Sequence, residues 1–151
     1  LGNGMKAFGK YEFKTNTTGS GGLSDRDTLL GLKGSFGEVR FGRHDTPLKM
    51  VQGKFDLFGD TLADLKNAGD EDGEYRKDNV LDYIGKSGAL SYAIALIPGE
   101  GDGTSAGDGI ADSTSISLAY KEGPLYIGVA TDSYDDTAGA AEDLQVSNLH
   151  T

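Results

Sequence analysis

The sequence predicts an all-β fold, an antiparallel sheet of the kind that closes into a transmembrane barrel. Segments of strand length alternate apolar and polar side chains, which is the period of a sheet with two unlike faces. The connections alternate short and long along the chain, as the turns on one rim and the loops on the other rim of a membrane barrel do. Glycine, with 24 residues, far outnumbers proline, with 3, and this balance favours turns and strands over long helices.

Predicted strands follow one another along the whole chain. They cover Met5–Phe13, Arg26–Ser35, Val39–Asp45, Arg76–Ile84, Leu90–Ile97, Ser115–Lys121 and Leu125–Tyr134. Tight turns are predicted at Gly37–Glu38, Gly85–Gly88 and Glu122–Pro124, and long loops at Thr15–Asp25, Leu48–Glu74, Gly99–Ser113 and Asp135–Asp143. Pro47 cannot donate to a sheet ladder, so we expect it to end the third strand.

The fifth and sixth strands carry one apolar and one small or polar face. We expect lipid or a neighbouring subunit to contact Leu90, Tyr92, Ile94, Leu96, Ile116, Leu118 and Tyr120. We expect water inside the barrel to contact Ser91, Ala93, Ser115, Ser117, Ala119 and Lys121. Strands of ~9–11 residues with this alternation are long enough to cross a bilayer.

The segment from about 48 to 74 has poor periodicity but carries several large apolar side chains. A loop that folds into a barrel lumen would pack these groups against the inner wall and turn its carboxylates towards the opening. A soluble-domain insertion with its own small core is the alternative. Within the segment, Thr61–Asn67 is predicted to form a short helix, with Asp60 or Thr61 as its N-cap.

Composition excludes several classes of protein. The formal net charge of -10 disfavours nonspecific binding of nucleic acid, which depends on lysine and arginine. Cysteine is absent, so no disulfide or thiolate site is predicted. No apolar run approaches the ~20 residues of a membrane helix, and no secretory signal is recognisable. The chain opens in a turn-like Leu1–Gly4 and stops at Asn148–Thr151 as if a strand were starting, so we expect an internal piece of a longer protein.

Signals for catalysis or for a bound cofactor are weak. The chain has two histidines, His44 and His150. The glycine-rich Gly99–Gly103 lacks the Lys-Ser/Thr of a phosphate loop, and the acidic Asp70–Gly73 lacks the ligand spacing of an EF-hand. We therefore predict no enzyme activity, no cofactor and no dedicated metal site, although loop carboxylates could bind a divalent cation opportunistically.

Four segments resemble the general diffusion porins of Gram-negative outer membranes. They are Leu1–Phe13, Arg26–Gly34, Gly37–Pro47 and Tyr75–Tyr83, which are similar to the third, fourth and fifth porin strands and to the strand after the constriction loop. The resemblance covers the fragment and implies a partial barrel domain over 1–151, with an inward-folding constriction loop at about 48–74. It further implies a sixteen-strand homotrimer in lipid and lipopolysaccharide, through which small hydrophilic solutes and ions diffuse passively.

The resemblance also implies a pore constriction with charges of opposite sign. Its residues would be Arg26, Arg43 and Arg76 on the wall, with Asp56 and Asp60 on the loop. Asp60 ends a Phe58-Gly-Asp sequence similar to the tip of the family's loop, whereas Asp56 lacks the family's preceding Pro-Glu. We expect acidic loops at the outer mouth to give a weak cation preference at low salt, which fades as ionic strength rises.

The alternation of the third strand leaves one conflict open. Arg43 shares its parity with Val39 and Phe41, so strict alternation would place two apolar side chains in the lumen beside it. A bulge at Gly42 could resolve the conflict.

Two other classes remain open from the sequence alone. One is a secreted or periplasmic β-sandwich that binds a ligand through its acidic loops. The other is a barrel enzyme, such as a lipase or protease of the outer membrane, for which no nucleophile–base pair can be assembled here.

Overall fold

The computed structural model describes residues 2, 4–15, 22–56, 76–99, 109–134 and 142–143. These residues form one antiparallel sheet in which each strand pairs with the next in chain order. The strands are β1 (Lys6–Thr15), β2 (Leu23–Gly34), β3 (Gly37–Asp45), β4 (Arg76–Ser87), β5 (Leu90–Ile97), β6 (Ser113–Glu122), β7 (Leu125–Tyr134) and β8 (Glu142–Asp143). The predicted all-β, antiparallel fold is confirmed, and a single sheet in meander order differs from the two packed sheets of a sandwich.

The two faces of the sheet follow the predicted alternation. On β5, Ile94 is 44% exposed, whereas Ala93 is 5% exposed and Ala95 is fully buried. On β6, Ile116 and Leu118 are likewise exposed while the serines and the alanine between and beyond them are buried. The apolar side chains therefore lie on the exposed face of these strands, where a bilayer would solvate them.

One sequence prediction about these strands is corrected. Ala93, Ser115, Ser117 and Ala119 do occupy the inner face, but they are buried and not bathed in water. The reason is a short helix, α1 (Pro47–Gln52), which lies against β5, β6 and β7. Small inner residues leave the volume that the helix fills.

Helix α1 begins where the sequence led us to expect only the end of a strand. Pro47 occupies the first turn, where the missing N–H costs nothing, and Thr46 is the N-cap, accepting a hydrogen bond from Lys49 N at 3.3 Å. Leu48 and Val51 pack with Ala130 of β7. The helix predicted at Thr61–Asn67 lies outside the described residues.

The hairpin turns are shorter than predicted or shifted along the chain. The first is Ser35–Phe36, because Gly34 and Gly37 already pair as the last rung of the ladder. The second is Gly88–Ala89 and the third Gly123–Pro124, each opening on a glycine with φ near +60°. That is the position which a type II′ hairpin turn gives to glycine.

In the described ranges, no helix is long and apolar enough to span a membrane.

Candidate pore constriction

The segment from Thr46 to Asp56 crosses from the end of β3 to the inner face of the wall formed by β5, β6 and β7. Two hydrogen bonds fix its start: Thr46 Oγ1 donates to Asp132 Oδ2 at 3.1 Å, and Leu48 N donates to Ser115 Oγ at 3.2 Å. Both bonds are buried, where an alternative partner from water is excluded. The segment therefore meets the inner face at one defined place.

Shape complementarity seats the helix on the wall. A Cβ added to Gly128 of β7 would lie 2.5 Å from Val51 Cγ1, so glycine provides the notch that receives Val51. Phe55 packs against the same cluster and contacts the ring of Tyr126, with 5.2 Å between the ring centroids. This contact fixes the direction in which the chain leaves α1.

A buried ion pair lies beside α1 on the adjacent wall. Arg40 Nε of β3 is 3.0 Å from Asp82 Oδ1 of β4, and the Asp82 side chain is fully buried. Arg40 Nη2 also lies 3.4 Å from Met50 Sδ, and the buried His44 places its Nε2 3.8 Å from Asp82 Oδ1. One arginine thus connects two strands of the wall to the inward-folding helix.

A network of charges runs along the inner face of β1 and β2 and across to β4. Its ion pairs are Arg76 Nε–Asp27 Oδ1 at 2.7 Å, Arg76 Nη2–Asp45 Oδ1 at 2.9 Å, Lys10 Nζ–Asp27 Oδ2 at 2.6 Å, Lys10 Nζ–Glu12 Oε2 at 2.7 Å and Arg26 Nε–Glu12 Oε1 at 3.1 Å. Positive and negative groups alternate along it, so the wall carries strong local fields with little net charge.

This network contains two of the predicted wall arginines, Arg26 and Arg76. The third, Arg43, is not part of it: Arg43 Nη1 pairs with Asp78 Oδ2 at 2.6 Å. On the loop, Asp56 directly follows α1 and its N–H donates to Gln52 O at 3.1 Å. Asp60 lies outside the described residues.

The bulge expected at Gly42 occurs on the neighbouring strand. Pairing between β3 and β4 slips after Gly42, and the extra residue belongs to β4 at Asp78–Asn79, where Asn79 has φ of 57°. Pairing of β3 with β2 continues without interruption as far as Arg43. By register Arg43 therefore shares a face with Phe41, and the opposite parity belongs to Arg40.

Sequence reasoning missed Arg40, Asp82 and Asp132, although a signal was available for the first two. Arg40 stands between the apolar Val39 and Phe41, and strict alternation places it on the inner face. The same argument applies to Asp82 between Leu81 and Tyr83. A charged residue on the inner parity of a strand with an apolar outer face is therefore a better indicator than a matched position in a motif.

An antiparallel sheet that is apolar on one face, and charged and covered by a folded segment on the other, is typical of the wall of a membrane barrel. The comparison with protein families agrees, because residues 1–150 match the Gram-negative porins. The chain belongs to this family, and the resemblance to porins noted in the sequence is confirmed.

Known relatives are outer-membrane proteins of Gram-negative bacteria, and the chain spans less than half of each. Major outer membrane protein P.IB of Neisseria meningitidis is 31% identical over 132 residues, covering 84% of this chain and 37% of that protein. Outer membrane porin protein 32 of Delftia acidovorans is 27% identical over 173 residues, covering 99% of this chain and 49% of that protein.

A solved structure supports the same fold. The anion-selective porin from Comamonas acidovorans is 25% identical, with a TM-score of 0.73 over 89% of this chain and 44% of that chain. Together with the relatives, it confirms the predicted antiparallel all-β fold, which is similar to that of a porin barrel, and the location in the Gram-negative outer membrane.

Proposed function

We propose that this chain forms part of the wall of a water-filled channel, through which small hydrophilic solutes and ions diffuse passively. The observation that carries the proposal is α1, which folds from the rim onto the inner face and narrows the space beside a charged wall. Selection follows from the remaining width and from the field across it. No catalytic step and no cofactor takes part.

The narrowest zone of this channel lies between the loop and the network around Arg76. Arg26 and Arg76 contribute to it from the wall, and Asp56 and Asp60 from the loop. Arg43 belongs to the predicted set but pairs with Asp78 near the end of β3, so its contribution is the weakest of the three arginines. Arg40 acts indirectly, because its contacts with Asp82 and Met50 hold the loop in place.

The complete protein is proposed to be a sixteen-strand barrel that assembles as a homotrimer in lipid and lipopolysaccharide. Support comes from the outer face of the described strands. Leu30 is 71% exposed and Phe41 is 55% exposed, and exposed apolar area of this kind requires lipid or a second subunit.

Single-channel recording of the full-length protein tests the function. Conductance proportional to bulk salt indicates a water-filled pore, whereas an absence of channels in planar bilayers contradicts the proposal. A protein that instead stays monodisperse after detergent removal would contradict contact of the outer face with lipid.

The charged groups at the constriction are tested by reversal potentials in a salt gradient. We expect a weak cation preference at low salt that Asp60→Asn reduces, and a larger shift towards cations from Arg76→Gln than from Arg43→Gln. Equal shifts from both arginine variants would show that the Arg76 network does not border the narrowest zone.

A further inference from the structure

A cleft of about 320 Å³ lies between α1 and the inner wall, towards the end of the sheet that carries the short turns. Met50 and Val51 of α1 form one side, and Ala93, Ala119 and Tyr126 of the wall form the other. This volume is at the lower end of the range of ~300–1,000 Å³ typical of small-molecule sites. Its lining is predominantly apolar, which is unusual for a surface that faces an aqueous lumen.

Three lysines border this apolar cleft. Lys54 follows α1, Lys86 lies on β4 and Lys121 on β6. Lys86 pairs in register with Ser91 and Lys121 with Tyr126, so no charged residue lies directly opposite either lysine on these strands. Three separate segments thus bring cations to the rim of one cavity.

These lysines differ from four other cations of the inner face. Lys10, Arg26, Arg40 and Arg76 each form an ion pair with a carboxylate. In the ranges that the structure describes, no carboxylate pairs with Lys54, Lys86 or Lys121. Their shared field therefore acts on whatever occupies the cleft, and an anion lowers their mutual repulsion.

We propose that the cleft binds a small organic monoanion with an apolar body, a carboxylate of about the size of benzoate. The carboxylate would lie among the lysines while the apolar body contacts Met50, Val51 and Tyr126. This inference rests on the proposed channel function and adds a subsite to it, on the short-turn side of α1. The acidic loops are expected at the opposite mouth, so this site would be the anion-binding end of the route.

A ligand-observed NMR titration of the full-length protein in detergent tests the site at low salt. Benzoate is expected to bind with a Kd of about 1 mM, the strength that its few heavy atoms allow. Benzamide, which has the same body without the charge, and inorganic phosphate, which has charge without the body, are expected to bind at least about tenfold more weakly. Comparable binding of either probe would overturn the proposal.

Two variants place the site on the molecule. Replacing Lys86 and Lys121 together with glutamine should weaken benzoate binding at least about tenfold, whereas Lys14→Gln on β1 removes a similar charge elsewhere and should leave it unchanged. Ser91→Leu fills the cleft with every lysine retained and should also abolish binding. Benzoate binding that survives both cleft variants would contradict the assignment.

Conductance of the same preparations separates this inference from the function on which it rests. Normal channels without benzoate binding would overturn the subsite alone. Preparations without channels would overturn the proposed function.

Discussion

Two parts of the same sheet differ in the residues that they present to the inner face. The covered wall, β5 to β7, presents alanine, serine and glycine to the inside because α1 packs there. The open wall, β1 to β3, presents lysine, glutamate and arginine to the inside. Both alternate with apolar outer residues, so the difference shows that the chemistry of an inner position depends on whether protein or water lies opposite.

Asp82→Leu should give the largest change in stability. The substitution leaves the charge of the nearly buried Arg40 side chain without its partner. Breaking such a pair costs about 3–5 kcal/mol in free energy of unfolding. Denaturant unfolding of the protein in lipid vesicles measures the loss.

The matched control for Asp82→Leu is Asp78→Ala, which breaks the exposed pair with Arg43 and should cost no more than ~1 kcal/mol. The double variant Arg40→Met with Asp82→Leu should recover most of the stability. Equal costs for the buried and exposed pairs would contradict the environment that we assign to Arg40.

Ile94→Arg tests the outer face of the covered wall. Arginine near the bilayer midplane costs ~2–4 kcal/mol in a membrane barrel, so insertion into lipid vesicles should fail or slow markedly. Ser91→Arg lies on the same strand at a half-exposed inner position and should insert nearly as well as the parent. Equal insertion of the two variants would contradict the assignment of Ile94 to the outer face and Ser91 to the inner face.

Gly128→Ala tests the seat of the helix. The added methyl group meets Val51, and overpacking of this kind costs about 1–3 kcal/mol. We expect lower stability and an altered conductance, because α1 moves away from the wall. Val51→Ala in the same chain should restore both properties, and a failure of that rescue would show that Gly128 acts by some other route.

Thr46→Val should give the smallest effect, ~1–2 kcal/mol, because it removes the N-cap of α1 and the hydrogen bond to Asp132 together. Single-channel records should show more frequent transitions between conductance levels as the start of the loop loosens. Thr46→Ser keeps both hydrogen bonds and should behave as the parent does. Identical records for the valine and serine variants would rule out a role for the hydroxyl group.

The strands and their two faces follow from the amino-acid sequence alone. The alternation in Leu90–Ile97 and Ser115–Lys121 is a local property, since successive side chains of a strand point to opposite faces. This pattern, together with the alternation of short and long connections, predicted a membrane barrel. The same rule, applied strictly, would also have identified Arg40 as an inner residue and would have removed the emphasis on Arg43.

The group that lies opposite each inner residue depends on the packing of distant segments. Pro47 fits the end of a strand and the first turn of a helix equally well, because neither position requires a backbone N–H donor. The packing of Leu48 and Val51 against Ala130, far away in the sequence, selected the helix. The partners of Arg40 and the bulge at Asp78–Asn79 depend in the same way on strand register across a long loop, and no local pattern specifies that register.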